Sequence, residues 1–381
     1  MDSPLRLTIE TDLSRIDARQ WDALAGDQPF LRHAFLCALH DTGCAAPDTG
    51  WAPHFLALWR DGQLAGAVPL YLKSHSRGEY VFDYAWADAF QRHGLRYYPK
   101  LLSAIPFTPV TGPRLLAAND EDRDTLVRGL VAFAEEVRVS SLHLLFPAAT
   151  DLRALREAGF MVRESVQFHW TNAGYADFDA FLATMSHDKR KKIRQDRKKV
   201  AQAGLEFRWR HGAQIRPEDL DFFYQCYCHT YFNHGNPPYL NREFFQRAYR
   251  EQPDAFVLVL AERDGQPVAA ALNLVGGDVL YGRYWGATEY VPGLHFETCY
   301  LQAIAYCIAY GLTRFEGGAQ GEHKMARGLL PTPTWSAHWV ADPRFAAAIQ
   351  QFLDEETAAV DDYLGELEAH TPFKRPAADG T

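Results

Sequence analysis

Two stretches of the chain place apolar runs on either side of the same polar turn. HFLALWRDGQLAGAVPLYL spans residues 54–72 and FVLVLAERDGQPVAAALNLV spans residues 256–275, and both carry Arg-Asp-Gly-Gln at the centre. An Asp-Gly pair supplies the positive φ values that a two-residue hairpin turn demands, so each stretch is predicted to be a β-hairpin. The aromatic run from Tyr80 to Trp86 parallels the run from Leu280 to Trp285 and predicts a third strand in each copy. Gly159 precedes His169-Trp170 by the same ten residues that separate Gly328 from His338-Trp339. The offset between copies falls from 263 − 60 = 203 to 338 − 169 = 169, so the first copy carries roughly thirty extra residues, placed in the Pro-rich stretch PFTPVTGPRLLAAND after Ile105.

Within the second copy the periodicity changes from two to three-and-four after Pro292-Gly293. Phe296, Tyr300, Ile304 and Cys307/Ile308 share one face of a helix predicted over residues 295–310, and Gly311 is its natural stop. LTRFEGGAQGEHKMARGLLPTPTWSAHWV then reads as a short strand, a glycine-rich charged loop and a final strand. Meander, helix, strand, loop, strand is the order of the GNAT acyltransferase fold. The pattern therefore predicts an α/β (α+β) chain of two GNAT-like units in tandem.

Composition narrows the class. The chain has 381 residues, 47% hydrophobic and 13% aromatic, which excludes a disordered or fibrous protein and fits roughly two to three domains. MDSPLRLTIETDLSR has no basic flank before an apolar run, and no window approaches about eighteen uninterrupted apolar residues. With six irregularly spaced cysteines read as reduced thiols, a cytoplasmic protein without a transmembrane segment is expected.

The net charge of −9 is unevenly spread. Residues 188–199 hold eight bases and two acids, or +6, leaving 31 bases against 46 acids, or −15, elsewhere. Ser186 is placed to cap this segment as a helix, Gly204 to end it, and Ile193 and Val200 to form its thin apolar seam. Like charges crowded along a helix repel, and an anionic ligand relieves that repulsion. Lys189, Arg190, Lys192 and Arg194 are the candidate phosphate contacts. One concentrated basic element on an acidic body argues against nonspecific DNA coating.

EGGAQGEHKMARG is the second constellation. Its glycines let backbone N–H groups approach a substrate, His and Glu can shuttle protons, and Lys can stabilise an oxyanion. His323 and Glu297 are the candidate bases and Lys324 the candidate oxyanion partner. Arg283 and Trp285 are expected to line an acceptor groove, with His295, Gln320 and Arg327 as further substrate contacts. In the first copy, aromatics interleave with Lys73, His75, Glu79, Asp83, Lys100 and Arg114, which suits either a ligand groove or an interdomain interface. Lys100 and Arg114 are its candidate substrate contacts. Cys226-x-Cys228-His229 lacks a second pair at zinc spacing, so no metal is expected. No serine-hydrolase, nucleotide-phosphate or dinucleotide motif is present.

The segments YLKSHSRGEYVFDYAWADA, YYPKLLSAIPFTPVTGPRLL, SHDKRKKIRQDRKKV and FEGGAQGEHKMARGLLPTPTWSAHWV, in this order, resemble the FemAB-like family of peptidoglycan biosynthesis/recognition proteins, which are N-acyltransferases of the GNAT superfamily. The resemblance covers roughly residues 25–370. It implies a GNAT-like domain over residues 1–175 that holds substrate, a basic helix over 176–204 that contacts phosphate, and a catalytic GNAT-like domain over 205–381, with Lys324 near the transferred acyl group. It further implies transfer of an acyl or aminoacyl group from acyl-CoA or aminoacyl-tRNA, as co-substrate and not as a tightly bound cofactor, to an amine. That amine belongs to a small molecule or a cell-wall precursor. Two departures bear on the donor: PGLHFETCY lacks the usual pyrophosphate loop of acetyl-CoA enzymes, and the coiled-coil arm of some Fem-type enzymes is missing. A non-catalytic binder of tRNA, phospholipid or murein fragments is the alternative.

Overall fold

The structure, a computed structural model, describes residues 5–319 and 321–374. It divides into two compact units. Unit 1 runs to Val166 and adds Tyr239–Phe244 and Pro333–Asp362; unit 2 holds Gln167–Pro238 and Phe245–Thr332 with the chain from Tyr363 onward.

Unit 1 is built from β1 (Leu5–Glu10), β2 (Trp51–Pro53), β3 (Phe55–Arg60), β4 (Gln63–Val68), β5 (Leu70–Lys73), β6 (Lys100–Ser103), β7 (Leu116–Ala117), β8 (Ser141–Leu145) and the start of β9 (Met161–Thr171). One sheet has the order β1-β3-β4-β7; in another β2, β5, β6 and β8 are neighbours, with β6 and β8 parallel. Leu126 and Leu130 of helix Asp120–Glu136 pack on Leu56, Leu58, Val68, Leu142 and Leu144, which forms a continuous apolar core.

Unit 2 contains β10 (Leu205–His211), β11 (Phe256–Arg263), β12 (Gln266–Gly276), β13 (Val279–Ala287) and β14 (Arg314–Glu316), neighbours in that order, with residues 169–171 of β9 paired to β14. The last strand, β15 (Leu330–Val340), begins in unit 2, and its residues 336–340 pair with β8 in unit 1.

Both predicted hairpins form. Asp61-Gly62 has φ of 51° and 76°, Asp264-Gly265 has 50° and 75°, and each turn joins antiparallel strands. The duplication reaches finer detail than the sequence pattern shows. The register of β3 on β4 slips between Leu58 and Trp59, that of β11 on β12 between Ala261 and Glu262, and both pairs are separated by the same 203 residues as the turns.

The third strand differs between copies. Leu280–Trp285 lies in β13 as expected, whereas the run from Tyr80 to Trp86 does not form a strand. Tyr84–Arg92 is a helix, because Trp86 and Phe90, four apart, both bury against Tyr97 and Phe345. The predicted helix over 295–310 is present with one irregularity: Leu294–Phe296 opens it, Glu297–Leu301 is a π-helical turn, and Gln302–Tyr310 completes it before Gly311 at φ 69°. The wider turn rotates Glu297 and Thr298 inward beside Tyr300 and Leu301.

Candidate functional site

The site of unit 2 starts from a strand that loses its neighbour. β13 and β14 run parallel through three pairs, Val279–Tyr281 against Arg314–Glu316, after which β13 continues to Ala287 and β14 ends. A gap opens where the ladder stops. On its other side β13 is bulged: Leu272 pairs with Tyr284 and Asn273 with Gly282, so Arg283 is the unmatched residue between them. A bulge bends the strand and re-aims the extra side chain. Gly282 beside it leaves room for the Phe315 ring, from which a Cβ there would sit 3.0 Å. Gly286 brings helix Pro217–Asn233 onto the same strand, where a Cβ would lie 2.0 Å from the Cys226 carbonyl oxygen. That packing explains why Cys226 is fully buried.

Two cavities flank the opened strand. A small one of about 100 Å³ is lined by Arg283, Tyr284, Cys299, Tyr300, Gly317 and Gly318, among others. A larger one of about 460 Å³ is bounded by His229, Asn233, His234, Glu289, Tyr290 and Phe296, among others. Trp285 and His295 line both, with ring centroids 4.6 Å apart, and form a shared wall. Burial and the neighbouring His323 and Arg327 hold the His295 imidazole down at about 4, so it is neutral near pH 7.

The glycine-rich loop contributes Gly317 and Gly318 to the lining of the small cavity. Glu322–Arg327 form a 3-10 turn between Gly321, at φ 123°, and Gly328, at φ 92°. Lys324 is 2% exposed, and its Nζ donates to the Gly318 carbonyl oxygen at 2.8 Å. Burial, reinforced by the Arg283 charge, lowers its pKa to about 8. Gly317 leaves space for this arrangement: a Cβ on it would be 2.7 Å from Leu329 and 3.6 Å from Lys324 Cδ. Arg327 lies with its guanidinium 3.7 Å from the centre of the Phe296 ring and donates to the His323 carbonyl at 2.8 Å. His323 is exposed, its ring 5.6 Å from Phe296 and 6.0 Å from Tyr300. Arg283, Trp285 and His295 therefore line the small cavity, whereas Lys324, His323 and Arg327 lie behind its wall, Lys324 bonded to Gly318 and the other two against Phe296. Gln320 lies outside the described residues.

Glu297 is placed differently. Its Oε1 accepts from Gln302 Nε2 at 2.8 Å and lies 3.2 Å from Arg197 Nε, while Gln302 accepts from Trp209. Burial raises its pKa against the opposing pull of Arg197. The carboxylate is thus engaged by the cationic helix rather than directed at either cavity. A second buried carboxyl, Glu316 at the end of β14, was in the sequence constellation without a role. Its Oε1 is 3.2 Å from Arg314, its Oε2 has no hydrogen-bond partner among the described residues, and burial raises its pKa to about 7. Cys299 lines the small cavity, with a thiol that burial pushes well above its ordinary range. The π-helical turn that holds it has no signature in the sequence.

The cationic segment is a helix, His187–Gln202, with Ile193 and Val200 buried and Gly204 at φ 74° after its end. Ser186 sits at the N-cap but its side chain makes no capping bond. His187, Arg190, Lys191, Arg194, Gln195 and Lys198 recur at three- and four-residue intervals and line a groove of about 340 Å³. Arg190 and Arg194 of the four predicted phosphate contacts are in it. Lys189 is exposed but does not line it, and Lys192 is turned toward Asp196 at 3.1 Å; Lys191 and Lys198 take their places. The opposite side packs on the start of the cleft helix, where a Cβ on Gly293 would lie 3.4 Å from Val200.

Lys100 and Arg114 belong to unit 1 and are fully buried. Arg114 donates to the carbonyls of Val110, Gly112, Pro113 and Leu145, which leaves its guanidinium saturated by backbone. Lys100 donates to Ser76, Glu79 and Asp83. Their expected role as substrate contacts is corrected: these are internal ties, satisfied without a ligand.

Comparison with known proteins agrees with this architecture. A family model described as FemAB-like, peptidoglycan biosynthesis/recognition, matches residues 12–375. No curated protein matches in sequence. Among solved structures, L-PGS from Bacillus licheniformis is similar at 11% identity and a TM-score of 0.56, covering 91% of this chain and 98% of its own. The C-terminal domain of a putative lysylphosphatidylglycerol synthetase from Agrobacterium fabrum is similar at 11% identity and a TM-score of 0.55, over 90% of this chain and 97% of its own. FemX is similar at 13% identity and a TM-score of 0.54, over 88% and 98%. At these identities the likeness shows the fold, the tandem GNAT-like α/β arrangement. Among the described residues no helix is long and apolar enough to cross a membrane.

Proposed function

Because the chain belongs to the FemAB-like family of peptidoglycan biosynthesis and recognition, we propose that unit 2 is an N-acyltransferase that moves an acyl or aminoacyl group from an activated ester or thioester to an amine. The observation that carries the reading is Lys324: a buried ammonium without a carboxylate partner among the described residues, bonded to the carbonyl of Gly318, which lines the small cavity at the β13–β14 gap. An amine in that setting is available to a developing oxyanion.

On this reading the donor carbonyl enters the small cavity and the acceptor amine approaches from the larger one, past Trp285 and His295. The amine nitrogen bonds to the carbonyl carbon, Lys324 stabilises the oxyanion, and collapse expels the alkoxide or thiolate. The proton leaves the attacking nitrogen to His323, which is exposed at the rim, or to water it holds, and returns to the leaving group. Glu297 has a positioning role through Arg197 and Gln302. The groove of Arg190, Lys191, Arg194 and Lys198 receives phosphate on the donor, since the helix that opens at Leu294 lacks the usual pyrophosphate loop. A cell-wall precursor amine is the acceptor class that the family membership favours.

Thermal-shift titration with acetyl-CoA, longer acyl-CoAs and charged tRNA identifies the donor, because a ligand that binds the folded state raises the melting temperature. Incubation with that donor and amine acceptors, followed by mass spectrometry, is expected to show acyl transfer that Lys324→Met slows about 10²- to 10³-fold. Saturable donor binding with no product on any amine favours the non-catalytic phosphate binder instead.

A further inference from the structure

The segment 363–374 makes contacts that the acyl-transfer reading does not use. Tyr363 Oη donates to Glu322 Oε1 at 2.6 Å, at the first residue of the turn that carries Lys324. At the other end of that turn, Gly328 has no space for a side chain. A Cβ there would lie 2.8 Å from Phe181 and 3.5 Å from Phe373, whose rings meet at 70° with centroids 6.4 Å apart. The turn is therefore held at both ends, and the same segment supplies a contact to each.

It also holds the entry to the cationic helix. Met185 and Phe373 form an antiparallel bridge, Ser186 N–H donates to the Pro372 carbonyl at 2.9 Å, and Lys374 N–H donates to the Thr184 carbonyl at 2.9 Å. The Ser186 carbonyl in turn accepts from Arg190 N–H at 3.0 Å, which begins the helix whose Arg190 side chain lines the basic groove. The missing side-chain cap at Ser186 is thus accompanied by a main-chain tie. Leu367 is buried, but Tyr363 and Phe373 are only half-buried, so neither belongs to a core that would conserve its position on packing grounds alone.

We propose that residues 363–374 form a strap that sets the Lys324 turn and the start of the cationic helix in register, with Tyr363 and Phe373 as positioning residues. One segment then links the group that faces the transferred carbonyl to the groove that faces donor phosphate. The strap rests on the acyl-transfer reading only for the use made of those two elements; the mechanical link stands on the contacts themselves. Tyr363 remains a neutral donor across ordinary pH, because burial and Glu322 push its phenol up to about 12.

The test is hydrogen–deuterium exchange and trace acetylation of the full chain with acetic anhydride, both read by mass spectrometry. Phe373→Ala is expected to raise exchange in residues 184–190 and 322–328 by about tenfold while β11–β13 stay protected. Trace acetylation of Lys324 as a function of pH should move its midpoint upward from about 8 as the amine becomes solvated. Tyr363→Phe removes one oxygen and should loosen 322–328 alone; Phe373→Tyr should restore both segments. Unchanged exchange in both segments, or a uniform rise across unit 2, overturns the strap. If Phe373→Ala does not fold, Tyr363→Phe decides by the same criterion. Neither readout needs a substrate, so a loosened strap in a chain that proves inactive would overturn acyl transfer and leave the strap standing.

Discussion

Each unit buries lysine, and Lys100 of unit 1 and Lys324 of unit 2 are treated in opposite ways. In unit 1, Lys73 and Lys100 are paired across β5 and β6, and both are fully buried. Their charges are answered: Lys100 Nζ is 2.8 Å from Glu79 Oε2 and bonded to Asp83, and Lys73 lies 3.7 Å over Trp51 and 4.0 Å from Glu79 Oε1. Burial alone would lower the Lys100 pKa, but Glu79 and Asp83 outweigh it and raise it. Lys324 of unit 2 is nearly as buried, has a backbone carbonyl as acceptor, and faces Arg283; its pKa falls. Lys100 matched by Glu79 and Asp83 is an internal ion cluster, with Lys73 at its edge, where burial lowers its pKa to about 7. A buried lysine without that match, bonded to the cavity-lining Gly318, is poised for a charge that arrives with a ligand.

The comparison is broken most directly by removing each ammonium. Lys100→Met leaves Glu79 and Asp83 buried without their main partner and should destabilise by about 3–5 kcal/mol in urea unfolding. Lys324→Met relieves the cost of a buried charge, so it should not lower stability at pH 7, and it should reduce acyl transfer about 10²- to 10³-fold once the donor is known. A Lys324→Met protein that unfolds while Lys100→Met stays folded would reverse the assignment.

Proton linkage sharpens it. Lys324 has a depressed folded pKa, so between about pH 8 and 10.5 the unfolded chain binds the extra proton and stability should rise with pH, by up to about 3 kcal/mol from this group. Lys324→Met should remove that rise. Lys100 has a raised folded pKa; its contribution is complete below 10.5 and is lost only as pH climbs through the higher folded value. Stability curves of the two variants against wild type from pH 7 to 11 should therefore differ in sign of slope.

Unit 2 also contains a matched pair, and it should behave like unit 1. Arg197→Ala leaves the Glu297 carboxylate buried with Gln302 alone and should cost about 1–3 kcal/mol in chemical unfolding. The smallest effect is expected on the cationic helix. Arg190→Gln or Arg194→Gln should weaken binding of a phosphate-bearing donor and reduce the salt slope by about 1 each, whereas Lys189→Gln should change neither appreciably. Titrations at several salt concentrations distinguish them.

The hairpins were legible because Asp61-Gly62 and Asp264-Gly265 encode their own backbone angles. The cationic helix was legible from Ile193, Val200 and Gly204. Other features left no such trace. Trp86 and Phe90 fit a strand or a helix until Tyr97 and Phe345 give them something to pack on. Lys100 and Arg114 have the same residue types as ligand contacts, and only the carboxylates and carbonyls around them show that their bonds are already made. Lys189 and Arg190 are neighbours in sequence with equal charge, but only Arg190 lines the groove.

By itself, then, the sequence determined turns, periodicities, the duplication and the loop that carries Lys324, since each depends on interactions between residues a few positions apart. The tertiary structure decided which cations are neutralised, how the bulge aims Arg283, and where β13 and β14 part. Those depend on desolvation and on partners that the fold brings from distant positions, as it brings Arg283 near Lys324 and Arg197 to Glu297 across a hundred residues.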